Sequence, residues 1–348
     1  MSYRPKIDDW KPEPNVSYPN KAVPVEWEDM RADLEQLKQT LTDKINDRAK
    51  AATPPDRLYH YTDGFALHSI VEKREVWLSD YRYTNDALEG ELPMRMLVDY
   101  FDSKWTVRQS VDFSRWQSEV DKHYQAMPHW QPTFFLACFS ENSDSLLQWL
   151  GYGSGGSGYE IEVEASSLAD IQPPEVLFDY VQRHVEFDIV PKVLSPRLIK
   201  VEYDEAAQKA FVDELAEVLY RTNEKWETAF KANSAVFERY KPHFFALCDN
   251  ICRLLGPHFK DKAFATEQEW RCVISVEKAT KSFCHPFVRR AADQFVPFIT
   301  LPVTLSGLRA GPKADYENLR TAYSGRAVAS QYGFGQMLKI AASKQPLK

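Results

Sequence analysis

The chain predicts an α+β fold in which helices are inserted into a mixed sheet. Three observations predict it. Strand-length apolar runs gather between residues 58 and 164 and again between 269 and 341. A strongly helical stretch, 205–255, separates the two groups, and one amphipathic helix precedes both. Strands in blocks, rather than a regular strand–helix alternation, argue against a doubly wound sheet.

Residues 1–25 carry Pro5, Pro12, Pro14, Pro19 and Pro24, the composition of an extended arm, with Trp10 and Tyr18 as docking side chains. Trp27, Met30, Leu34, Leu37, Leu41 and Ile45 then recur at steps of three and four, which predicts one helix between Pro24 and Pro54-Pro55. Packing on the neighbouring domain is the expected use of this stripe; self-association or partner docking through helix 26–50 is the alternative. We divide the chain into this arm and helix, 1–55, and a single α+β domain, 56–348, with a helical insertion at about 204–258.

Within the domain, Leu58–Thr62 (Leu-Tyr-His-Tyr-Thr) reads as a strand, Asp63 as a cap, Phe65–Lys73 as a short helix and Glu75–Ser79 as a second strand. Asn85-Asp86 opens a helical stretch, Glu89–Phe101, and polar helical sequence runs on to about 125. Thr133–Phe139 is a near-continuous apolar run, which predicts a central strand buried on both faces. Asp144–Tyr152 reads as a helix, the glycine-rich 151–158 as a flexible turn or lid, and Tyr159–Glu164 as an alternating strand. The mixed stretch 168–200 ends in the strand Leu198–Val201, and the helical 205–255 is broken at Pro242. Strands Glu269–Val276 and Val296–Leu301, a turn at Gly311-Pro312, the helix Asp315–Tyr323 and a last strand Met337–Ala341 complete the chain.

Composition bounds the function. Nine Trp, 17 Tyr and 20 Phe within a 44% hydrophobic chain exclude disorder throughout. A net charge of −7 excludes a general attraction to nucleic acid or to anionic membrane. No apolar run approaches the roughly 18 residues of a membrane span, and the first 24 residues lack the apolar core of a signal peptide. Cys138, Cys248, Cys252, Cys272 and Cys284 have no scaffold spacing, which fits a reduced, cytoplasmic protein.

Two segments carry candidate chemistry. In Leu58–Thr62, alternation puts Leu58, His60 and Thr62 on one face. A hydrogen-bonded histidine inside the fold is the plain reading; an imidazole and hydroxyl reaching sugar hydroxyls is the functional one. In Glu267-Gln-Glu269-Trp-Arg271, extended chain places both carboxylates and the guanidinium on one side. A surface Glu–Arg ladder is the commoner outcome for such a pattern. Here the trio opens an apolar strand that belongs inside the sheet. Cys248 and Cys252 with His243 and His258 have helical spacing and no second cysteine pair, so packing outweighs zinc, and no metal is expected. The glycines of 151–158 open a strand without a following Lys, unlike a phosphate loop. Ser140 lacks a nucleophile elbow, and Trp149 and Tyr152 read first as core aromatics.

Six motifs in order resemble the bacterial proteins of domain-of-unknown-function family 2971. They are Leu58–Thr62; Val76–Asp80 with Asn85-Asp86 and Glu89; Cys138-Phe-Ser140; Ser145–Trp149 with Tyr152; Glu267–Arg271; and Leu338–Ser343 with Pro346. The arrangement also looks like the ADP-ribosyltransferase fold, where a first strand ends in His-x-Thr and a late strand opens with Glu-x-Glu. That resemblance implies a sheet split around a cleft and NAD as substrate. His60 and Thr62 would hold the adenosine-side ribose and nicotinamide end, and Ser140 would belong to the middle strand. Glu269 would bind the 2′-hydroxyl of the nicotinamide ribose, and Glu267 would face an unknown macromolecular acceptor or water. Tyr61, Trp149 or Tyr152 would stack on nicotinamide, and a role in bacterial defence would follow. A carboxylate against that ribose stabilises an oxocarbenium-like state. The alternative is a non-catalytic nucleotide- or protein-binding module of the same fold. A ribonuclease would need a second His or Lys beside His60, with His184 and His243 as the histidines that could arrive there.

Overall fold

A computed structural model of the chain describes residues 25–83, 91–104, 133–169, 197–230, 234–276, 287–291, 294–324 and 337–347. The Pro-rich arm, Asn85-Asp86 and Glu89, the polar stretch to about 125, His184 and Cys284 lie outside them.

The stripe of residues 27–45 forms helix α1 (Val25–Ala51), and all six of its large apolar residues are buried. Strand β1 (Arg57–Thr62), helix α2 (Gly64–Lys73) and strand β2 (Glu75–Asp80) follow. Asp63 caps α2, its Oδ1 accepting from Ala66 N at 2.8 Å. Replacing Asp63 with alanine is expected to cost about 1 kcal/mol, read as a shift in the urea midpoint at unchanged slope. Helix α3 (Leu92–Lys104) and strand β3 (Thr133–Ser140) come next. After them stand helix α4 (Leu146–Gly151), strand β4 (Tyr159–Glu164), helix α5 (Ser166–Ala169) and strand β5 (Arg197–Lys200). Two long helices follow, α6 (Glu205–Phe230) and α7 (Ser234–Leu255). The chain ends in strands β6 (Glu269–Val276), β7 (Phe287–Ala291), β8 (Gln294–Pro302) and β9 (Leu305–Ala310), helix α8 (Tyr316–Tyr323) and strand β10 (Lys339–Ala342).

The strands form one mixed sheet in the order β10-β9-β4-β1-β3-β2-β8-β7, with β6 on the other edge of β3 and β5 beyond it. Among the described strands only β9 and β10 run parallel. Strand β3 is the branch point. One edge pairs with β6 from Thr133↔Val276 to Ser140↔Glu269. The other edge is shared, meeting β1 at Ser140 and β2 at Leu136 and Phe135. The sheet is therefore an α+β mixed sheet split at β3.

Each face of β3 feeds a separate core. Phe134 and Leu136 join α1, α3, α6 and α7, whereas Phe135, Ala137 and Phe139 pack with α2 and the inner faces of β4, β8 and β9. The stripe of α1 is spent on this first core. Those apolar side chains contact α6 and α7, the packing use expected of the stripe.

Two expectations are corrected, and two strands were not expected. Pro242 lies inside α7 and does not end it; Phe244, Leu247, Cys248 and Ile251 bury that helix well enough to override one lost hydrogen bond. Strands β7 and β9 carry no clear alternation, and β9 holds Ser306 and Gly307 in a sequence that only tertiary pairing makes extended. The stretch 151–158 is pinned rather than flap-like. Gly158 N donates to Gly153 O, Gly311 N to Gly158 O and Lys313 N to Gly156 O. A Cβ at Gly158 would stand 2.4 Å from Thr62 O, so only glycine allows this approach.

Candidate functional site

The C-terminal end of β3 and the start of β6 lie side by side, and the polar residues there point toward the helical core. Ser140 pairs with Glu269 and Cys138 with Arg271. Trp270 and Cys272 point into the opposite core with Phe139. Into this corner the turn after α7 brings Lys260.

The result is a buried, charge-balanced group. Arg271 Nε donates to Glu269 Oε1 at 3.0 Å and its NH2 to Oε2 at 3.1 Å, while NH1 donates to Pro257 O at 3.2 Å. Lys260 Nζ donates to Glu269 Oε2 at 3.0 Å and to Glu267 Oε2 at 2.7 Å. Tyr152 Oη donates to Glu267 Oε1 at 3.0 Å. Burial alone would push the Glu269 carboxyl up, but Arg271 and Lys260 outweigh it and hold it at about 2. Burial likewise works against the Lys260 charge, and Glu269 and Glu267 reverse it, holding the ammonium above its ordinary range. Tyr203 Oη accepts from Glu269 N at 3.0 Å and closes the side toward α6.

Beside this group lies Cys138, on the same face of β3 as Ser140 and paired with Arg271. Solvent reaches Cys138, so the corner opens there, and we call that opening the hollow. At its mouth stand Glu267, whose side chain is 12% exposed, and Tyr152; Glu269 at 5% and Arg271 at 1% lie behind.

The expected site residues separate into those that meet and those that do not. Ser140, Tyr152, Glu267, Glu269 and Arg271 meet. His60 does not join them, which corrects the shared cleft. Strand β3 stands between β1 and β6, about 10 Å apart across two strand spacings. Moreover, His60 pairs with Ile161 on the face opposite Glu269, its ring tilted on Phe139 at 5.6 Å. Its Nδ1 carries the proton, donated to Cys138 O at 2.8 Å. That bond occupies the carbonyl of β3 left between the β1 and β2 pairings. Thr62, with Leu58, follows His60 on that face and is buried.

Other roles change as well. Ser140 Oγ donates to Glu267 O at 2.6 Å and accepts from Asn142 N at 3.0 Å, so it braces the turn. Trp149 is wholly buried, and Tyr61, 6% exposed, meets its ring edge-on at 4.9 Å; of the three aromatics expected to stack on a ligand, Tyr152 alone is accessible. Glu267 closes a 3-10 turn and Gln268 is left-handed at φ 44°, so the two carboxylates do not share a face by strand alternation. Lys260 joins them instead. His243 packs on Trp27 at 5.5 Å inside the helical core, far from the role a ribonuclease would give it.

Lys260 and Tyr203 were not anticipated. Each is a single polar residue in a connecting segment, nine and 66 positions from Glu269, and neither spacing has a periodic signature. Among the described residues no three His, Cys, Asp or Glu side chains could hold a metal ion. Cys248 and Cys252 are buried in α7. Among the described residues no helix is long and apolar enough to cross a membrane.

Residues 148–272 match the model of a family described as protein of unknown function, DUF2971. The DUF2971 interval contains Trp149, Tyr152, Tyr203, Lys260, Glu267, Glu269 and Arg271, and so most of the hollow; His60, Thr62 and Ser140 lie outside it. No curated protein and no solved structure matches the chain, so these comparisons lend nothing to the ADP-ribosyltransferase resemblance.

Proposed function

We propose that this chain is a non-catalytic ligand-binding protein whose hollow takes a hydroxyl-bearing, nucleotide-like molecule through Glu267 and Tyr152. One observation carries the reading: both oxygens of Glu269 are held by Arg271 and Lys260, while Glu267 and Tyr152 stand at the mouth. Two cations leave the buried Glu269 no unshared charge to offer a developing cation, whereas Glu267 meets one cation and a neutral hydroxyl. Glu267 can accept from sugar hydroxyls as the Tyr152 hydroxyl swings away, and the Tyr152 ring offers a flat apolar surface.

ADP-ribosyl transfer from NAD is the second reading, favoured by the split at β3 and by a carboxylate at the opening of the hollow. It makes Glu267, not Glu269, the residue against the ribose. Modification of a macromolecular acceptor, and with it a defence role, belongs to this reading alone.

Calorimetric titration of the purified chain with NAD and with ADP-ribose, alongside nicotinamide release with and without cell extract, separates the two. Binding without release is the expected result, with affinity falling about tenfold or more in Glu267→Gln, as for a lost hydrogen bond to a charged group. Release abolished by Glu267→Gln would establish the transferase instead. Absence of both binding and release removes the nucleotide from either reading.

A further inference from the structure

We propose that Asp144 is the positioning residue of this site, and that the C-terminal segment 343–345 acts through it on Tyr152 and Glu267. The hollow's mouth depends on α4, since Tyr152 directly follows that helix and its N–H donates to Gln148 O at 2.8 Å. Helix α4 has six residues and is too short to hold itself in place. Its anchor is Trp149, whose Nε1 donates to Asp144 Oδ1 at 2.9 Å.

Asp144 is the junction. Its backbone is left-handed, at φ 54°, a conformation a non-glycine residue keeps only when its surroundings fix it. Its N–H donates to Glu160 Oε2 at 2.6 Å, and Arg309 Nε holds the other oxygen of Glu160 at 3.0 Å. The remaining bonds come from the other end of the chain. Ser343 Oγ donates to Asp144 Oδ1 at 2.5 Å, Lys344 N to Oδ2 at 2.8 Å and Gln345 Nε2 to Asp144 O at 2.6 Å. Leu347 completes the clasp, its Cδ1 lying 2.9 Å from where a Cβ on Gly156 would be. A continuous series of contacts thus runs from Ser343 through Asp144 and Trp149 to Tyr152 and Glu267. Arg309 NH1 donates to Ala342 O at 3.1 Å and keeps the segment in register.

This assignment rests on the hollow being the ligand site, but its test needs no ligand. Cys138, where the corner opens to solvent, reports how open the mouth is. The full chain is labelled with N-ethylmaleimide under native conditions, the Cys138 peptide is followed by mass spectrometry, and amide exchange is followed over 146–152. Ser343→Ala and Asp144→Asn are expected to speed Cys138 labelling about fivefold, the equivalent of about 1 kcal/mol, with faster exchange in 146–152. Asp63→Ala, which loosens the cap of α2 and touches none of these residues, serves as the control and is expected to label at the wild-type rate. The assignment is overturned by wild-type rates in Ser343→Ala, or by equal acceleration in the Asp63→Ala control. Should Asp144→Asn not fold, Ser343→Ala alone decides. A wild type that binds no nucleotide sinks the ligand reading and leaves this result standing.

Discussion

Replacing Arg271 with methionine is expected to destabilise the fold by about 3–5 kcal/mol, the cost of leaving a buried carboxylate without its main partner. Arg271 is 1% exposed and donates two hydrogen bonds to the Glu269 carboxylate, where Lys260 donates one. Urea unfolding measures the loss. The double variant Glu269→Gln, Arg271→Met is expected to recover a large part of it, because no charge is then stranded. Equal losses in single and double variants would show that Arg271 matters through packing alone.

The same pair sets an acid limb. The folded Glu269 carboxyl lies at about 2, below an unfolded value of about 4.3. Its contribution is complete above the unfolded value and is lost as pH falls from about 4 through about 2. Glu269→Gln is expected to flatten stability against pH in that window, and a slope unchanged there would contradict the assignment.

Trp149→Ala is expected to cost about 3–5 kcal/mol, the usual loss for a fully buried aromatic, and to weaken nucleotide binding as well. The ring is wholly buried and edge-on to Tyr61 at 4.9 Å. Trp149→Phe keeps most of that volume and removes the Nε1 bond to the ionised Asp144. A loss of about 1.5–3 kcal/mol is expected for it. Urea midpoints for the two variants separate volume from hydrogen bond. A phenylalanine variant as unstable as the alanine one would place the whole effect in the bond.

Much of the fold could be read from periodicity. The steps of α1, the apolar run of β3 and the start of β6 each state their element because burial on one or two faces dictates their pattern. Strands β7 and β9 were hidden because their extension is imposed by neighbours, not by their own alternation. The site was half legible. Glu269 and Arg271 at i, i+2 pointed to each other correctly, since that spacing is local to one strand. Strand order is not local. Nothing in Leu58–Thr62 says that β3 will lie between it and β6, and nothing near Lys260 says that it will bridge two glutamates. Side-chain alternation gave the face of each residue within its strand, but the common face of two distant strands depends on register, which pairing alone decides.

The branching of β3 bears on how the chain comes off the ribosome. Its edge toward β6 stays open until residues 269–276 emerge; Ser140 and Glu267, which close that corner, are 127 positions apart. At about 5–20 residues per second, the nascent chain carries an unsatisfied apolar ribbon, Phe-Phe-Leu-Ala-Cys-Phe, for roughly 6–25 s. Contacts of such long range fold late and leave a sticky edge in the meantime. Synthesis of this protein therefore passes through an interval in which chaperone capture and self-association compete with completion of the sheet.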